Sequence, residues 1–186
     1  QGGHVSVGGM FYWGGAFPEE WNGRYLSPNL LSHDFYWHEF ECLGSSFQSK
    51  HGGTVLDSHD TWFAPTDMTI GPDGAVYVSD WHDKRTAHPD PDADWDRSNG
   101  RVYRVQATGA KPIDSFDLGK RTDDELIGLI DHPNNWFSRR ARVLLVSRNE
   151  PETVVKLRGL LEESEDDKRT LRILWTLDAG GNLTEE

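Results

Sequence analysis

Four groups of residues carry side chains whose types and spacing suit chemistry. The first is Asp90-Pro91-Asp92-Ala93-Asp94-Trp95-Asp96, where alternate carboxylates offer oxygen donors of the kind calcium takes. An EF-hand loop needs Gly at its sixth position and Glu at its twelfth, and counting from Asp90 finds Trp95 and Arg101 there. The run is therefore read either as a solvated acidic loop or as a loop calcium site, with Asp96 as a ligand. The second group is the eight histidines: His4, His33, His38, His51, His59, His82, His88 and His132. None forms the i, i+4 pair of a helical zinc protease. Two sit in Asp57-Ser58-His59-Asp60 and Asp80-Trp81-His82-Asp83, where a neighbouring carboxylate could hold an imidazole as a general base. The third is Trp62-Phe63-Ala64-Pro65-Thr66-Asp67, ending in a lone carboxylate. The fourth is Asp96-Arg97-Ser98-Asn99-Gly100-Arg101, where Arg97 can grip carboxylates in a fork and Asn99-Gly100 signals a turn. That group reads more simply as a latch for the preceding loop.

These residues must be positioned by the elements around them. Up to about residue 118 the chain alternates short β-prone runs with turn residues: Val5–Tyr12, Arg24–Ser27, Phe35–Leu43, Ser46–Ser49, Thr54–Leu56, Thr66–Ile70, Ala75–Asp80 and Gly100–Ala107. Gly71-Pro72-Asp73-Gly74 is a tight reversal, because Pro fixes φ and Asp-Gly tolerates the turned backbone. Short antiparallel strands at regular spacing suit a sandwich, a barrel or a propeller, and the phrase over 71–80 favours the innermost hairpin of a propeller blade. Two blades are expected, at about 4–56 and 65–107. Asp67 would then lie on an innermost strand at the channel mouth, where a carboxylate can orient a sugar, a quinone cofactor or a metal. A hydrogen bond that closes the blade is the other reading of Asp67. A ring needs at least four blades, so the expectation is a fragment whose other blades lie in further polypeptide.

After Lys120 the apolar period becomes helical. Thr122 or Asp123 caps a first short helix, Trp136–Arg148 forms a second, Pro151 opens a third, and Asp166-Asp167 open a fourth that ends at Gly180-Gly181. The segment 139–148 resembles 168–177, each preceded by a helix and a break. That offset suggests two-helix units of HEAT-like type continuing beyond Glu186, or a plain four-helix domain. The expected organisation is mixed, all-β then all-α: 1–118 as C-terminal blades of a β-propeller and 119–186 as the start of a HEAT-like array.

Composition removes several classes. The net charge of −12 in 186 residues argues against binding a phosphate backbone, so no nucleic acid partner is expected. One cysteine, Cys42, excludes an internal disulfide and a Cys-based zinc site. No run approaches the ~18 apolar residues of a membrane span.

Several phrases resemble a known family in order and spacing. They are residues 4–26 (HVSVGGMFYWGGAFPEEWNGRYL), 44–52 (GSSFQSKHG), 57–65 (DSHDTWFAP), 70–88 (IGPDGAVYVSDWHDKRTAH) and 96–105 (DRSNGRVYRV). Together they resemble the C-terminal part of the glucose/sorbosone-dehydrogenase-like propeller of planctomycete-type membrane-bound dehydrogenases, in which HEAT-like repeats commonly follow. The resemblance implies a periplasmic or extracellular oxidoreductase acting on a sugar or polyol substrate. The cofactors it implies are PQQ and calcium over the propeller mouth, with haem only through a module outside this chain. It implies His88 as a catalytic residue, Asp67, Asp80, Trp81, His82 and Arg97 as substrate- or cofactor-binding residues, and Asp67 and Asp96 as calcium ligands. Ala87 stands where many relatives have Cys, so no thiol acts there. Most catalytic groups of such enzymes lie in earlier blades, so this piece alone is expected to be inactive. The partners implied are the remaining blades and further repeats. A non-catalytic module that binds carbohydrate or protein is the alternative.

Overall fold

The computed structural model describes residues 6–84, 96 and 98–183. The chain forms two compact units, Gln1–Lys111 and Pro112–Glu186. The first is built of two antiparallel sheets and the second of four helices.

The first sheet has strands in the order β1 (Met10–Phe11), β2 (Tyr25–Asn29), β3 (Asp34–Leu43) and β4 (Ser46–Asp57). The second follows as β5 (Pro65–Ile70), β6 (Val76–Asp80) and β7 (Arg101–Val105). Each sheet is a meander in which every strand pairs with its neighbour in sequence. Where a strand was expected over Val5–Tyr12, only Met10–Phe11 pair in a ladder, and Ser6 makes an isolated bridge to Asn29. Gly8 and Gly9 interrupt the run. Gly8 is left-handed, with φ 52°, and a Cβ there would collide with the Asp67 backbone. The two runs expected at 46–49 and 54–56 are one strand, β4. A bulge at Gly52-Gly53 absorbs the glycines, and the Trp37 ring covers Gly52 so closely that no Cβ fits. Burial, followed by the nearby charge of His51, holds His38 in this hairpin below the ordinary histidine range.

One apolar cluster joins the sheets, with Tyr12, Leu26 and Phe35 on one side and Phe63, Met68, Val76 and Val78 on the other. The turn at 71–74 is fixed from several directions. Gly71 accepts from Gly74 N, and the Asp73 carboxylate accepts from Ala75 N, Tyr77 Oη and Arg104 Nε. Tyr12 Oη donates to Gly74 O at 2.8 Å and accepts from Ala16 N and Phe17 N.

The helical unit contains α1 (Asp123–Gly128), α2 (Asn135–Arg148), α3 (Pro151–Glu163) and α4 (Asp167–Ala179). Thr122 and Glu125 form a reciprocal capping box at the start of α1. Asn134 and Asp166 cap α2 and α4, and Pro151 occupies the first turn of α3, where its missing N–H costs nothing. Leu126, Ile130, Ala141, Leu145, Leu157, Ile173 and Leu177 form its core. Arg172 is buried and donates to Ile130 O and Asn135 Oδ1. Asp123 accepts from Arg148 Nη1 at 2.6 Å and from Thr153 Oγ1 at 2.5 Å, tying α1 to α2 and α3.

Candidate functional site

The register of the second sheet sets three residues side by side at one end. Pro65 lies opposite Asp80, and Asp80 lies opposite Arg101. Beyond Asp80 the chain turns at His82, whose backbone is left-handed with φ 56°. Asp80 Oδ1 accepts from Ala64 N and His82 N, each at 2.8 Å. Asp80 Oδ2 is buried and accepts nothing within the described residues. Facing it are His82 Nδ1 and Arg101 Nη1, each 3.7 Å away and too far for a hydrogen bond. Arg101 also donates to the His82 ring, which requires an unprotonated ring nitrogen on that side, since a guanidinium cannot accept. The Trp62 ring lies 5.4 Å from the His82 ring, tilted by 31°.

The local pattern Asp-x-His-Asp occurs twice, which separates scaffold from site. In both Asp57-Ser58-His59-Asp60 and Asp80-Trp81-His82-Asp83 the first Asp accepts the histidine N–H and the histidine is left-handed. This is an Asx-type turn, and its short polar side chain stabilises a conformation that costs most residues about 1–3 kcal/mol. The environments differ. The side chains of His59 and Asp57 are 84% and 54% exposed and pair at 3.1 Å in solvent. Those of His82 and Asp80 are 10% and 0% exposed, with Arg101 against them. A buried carboxylate oxygen without a donor is costly unless a water or ligand atom completes it. Asp80 Oδ2, the His82 ring and the Arg101 guanidinium thus converge, with the carboxylate oxygen left to be completed.

The other expected residues fall in different places. Trp81 projects into solvent beside the cluster, 63% exposed, and its N–H bonds Ala64 O. Asp96 is pulled down to about 2 by the hydrogen bonds it accepts from Ser98 and then Asn99. Its carboxylate accepts from Ser98 N, Ser98 Oγ and Asn99 Nδ2, which is the use a latch makes of it. Asp67 is exposed on β5 opposite Ser79; its carboxylate accepts from Met68 N and its carbonyl from Ser79 Oγ. His88 and Arg97 lie outside the described residues, as does the acidic run 90–95. Among the described residues no group of three or more His, Cys, Asp or Glu side chains gathers as metal ligands would. Arg101 and Trp62 are the members of the cluster that sequence reasoning did not assign to it. The signal for Arg101 was its place just after Asn99-Gly100, at the start of β7.

The first unit is thus a pair of antiparallel meanders carrying a buried acid–histidine pair, with an arginine against it, at one sheet end. A family model described as a domain of unknown function (DUF7133) matches residues 5–109, more than half of the chain, and the chain belongs to that family. The match covers the β unit and the whole cluster. No curated protein and no solved structure matches the chain.

Proposed function

We propose that the β unit is part of a sugar-dehydrogenase-like propeller and that the Asp80–His82–Arg101 cluster takes a hydroxyl-rich ligand, a sugar or polyol. The observation that carries this reading is the buried Asp80 Oδ2, without a hydrogen bond among the described residues and flanked at 3.7 Å by two nitrogens. A ligand hydroxyl there would donate to Asp80 and accept from Arg101. The Arg101 side chain, 40% exposed, is the group such a ligand meets first. Trp81, exposed beside it, offers a flat face of the kind sugar rings stack on. The propeller reading is supported by two successive meanders sharing one core, with β5 as an edge strand. The α1/α2 and α3/α4 hairpins suit the start of a HEAT-like array. The partners in this reading are the remaining blades and further repeats, in a protein of the periplasm or cell exterior. No helix among the described residues is long and apolar enough to cross a membrane.

In the oxidoreductase form of this reading Arg101 turns from the His82 ring to the ligand, and the ring nitrogen it releases accepts the hydroxyl proton as the alcohol becomes a carbonyl. A bound quinone such as PQQ would supply the hydride-accepting chemistry, and Arg101 is the residue suited to its carboxylates. Calcium does not fit the described residues. The Asp96 carboxylate is held by Ser98 and Asn99, Asp67 stands apart, and no third ligand joins either.

The test is calorimetric titration of the chain with a panel of sugars and polyols, repeated for Asp80→Asn and Arg101→Ala. We expect both variants to lose at least about tenfold in affinity, or about 1.4 kcal/mol. Absence of binding by every compound removes the reading. Dye-linked oxidation with added PQQ, run on the chain joined to the remaining blades of this reading, then separates its two forms: turnover supports the oxidoreductase, and binding without turnover supports a recognition module.

A further inference from the structure

The β3–β4 hairpin carries a second group of side chains, separate from the Asp80 cluster. One row crosses the four-stranded sheet, with Phe11 opposite Tyr25, Tyr25 opposite His38, and His38 opposite His51 on the edge strand. The last pairing depends on the bulge. Trp37 faces Gly53 and His38 faces His51, so Gly52 has no opposite number. An unbroken ladder would set His38 against Gly52, which has no side chain. Bulges commonly re-aim a side chain in this way.

The outcome is two imidazoles on one face, with ring centroids 5.3 Å apart and planes at 66°. Two imidazoles on one tetrahedral ion, with metal–nitrogen distances of about 2.0–2.1 Å, place their ring centroids roughly 5 Å apart. Neither ring makes a hydrogen bond within the described residues. The Tyr36 ring lies 5.3 Å from His51 and the Tyr25 ring 6.3 Å from His38, forming walls on either side. His51 is exposed, so an ion reaches the pair without rearrangement of the sheet.

We propose that His38 and His51 bind a borderline divalent ion, Zn²⁺ or Cu²⁺, across the edge of the first sheet. One nitrogen of each ring is a ligand and water fills the remaining positions. Imidazole suits these ions, whereas calcium and magnesium prefer oxygen. Two protein ligands make the site an exchangeable one.

The metal-free chain, after chelator treatment, is titrated with ZnCl₂ and with CuCl₂. Histidine ring resonances are followed by NMR and heat by calorimetry. We expect the His38 and His51 rings to respond together, with the His59 ring as the unaffected reference. His51→Ala removes an exposed side chain that makes no hydrogen bond, so the sheet stays folded, which circular dichroism checks. This variant should lower the association constant by about tenfold or more, because one of two ligands is gone, while His59→Ala leaves it unchanged. The proposal is overturned if the two rings fail to respond to either ion at millimolar concentration. It is overturned equally if His51→Ala binds as the unaltered chain does.

Discussion

Two carboxylates, one in each unit, stand at comparable places and are used differently. Asp123 opens α1, and both of its oxygens are taken, by Arg148 and by Thr153. Asp80 closes β6, and one oxygen is taken twice while the other has no donor among the described residues. The first is a finished structural joint. Its carboxyl is held below the ordinary range chiefly by the Thr153 hydrogen bond, with Arg148 adding to it. The second is a joint with spare capacity. Buried polar groups in native proteins are nearly always satisfied, so an exception marks a place where something else completes the set.

Alanine and asparagine separate these two uses. Asp80→Ala strands the N–H groups of Ala64 and His82 in a buried place and should cost about 3 kcal/mol in urea denaturation. Asp80→Asn keeps an acceptor for both N–H groups and should cost under about 1 kcal/mol while still abolishing ligand binding. At Asp123 the order of tolerance changes. Ala should cost about 1.5 kcal/mol, discounted because the pair is partly exposed. Asn should cost nearly as much, since an amide cannot accept at both positions. If Asn is equally tolerated at 80 and 123, the contrast dissolves.

The smallest expected effect is on pH dependence. Because the folded carboxyl of Asp123 titrates below its unfolded value of 3.8, its stabilisation is complete above about pH 5. It is lost as pH falls from there through the lowered folded value. Denaturation measured between about pH 3 and 6 should therefore slope less steeply in Asp123→Asn than in the unaltered chain.

The helical unit was largely legible in the sequence because its signals are local. Thr122 with Glu125, Pro151 and Asp166 each act within a few residues of the helix they start. The sheets were less legible because their decisive events cross the chain. Nothing near Gly52 announces that Trp37 will cover it, so one strand read as two. The site divides in the same way. Asp80 and His82 were marked out by the Asp-Trp-His-Asp spacing, since the turn they form is a local hydrogen bond. Arg101 read only as part of the latch, because its approach to Asp80 depends on the pairing of β6 with β7. The parallel motif at 57–60 looked equivalent, and only burial distinguishes it.

The phenol of Tyr12 has a wider reach than its single ring implies. Its oxygen accepts from two amides of the loop between β1 and β2 and its hydroxyl donates to the hairpin tip of the second sheet. Apolar packing alone leaves the pairing of the two sheets to shape; the Tyr12 phenol adds a directional polar tie beside their shared core.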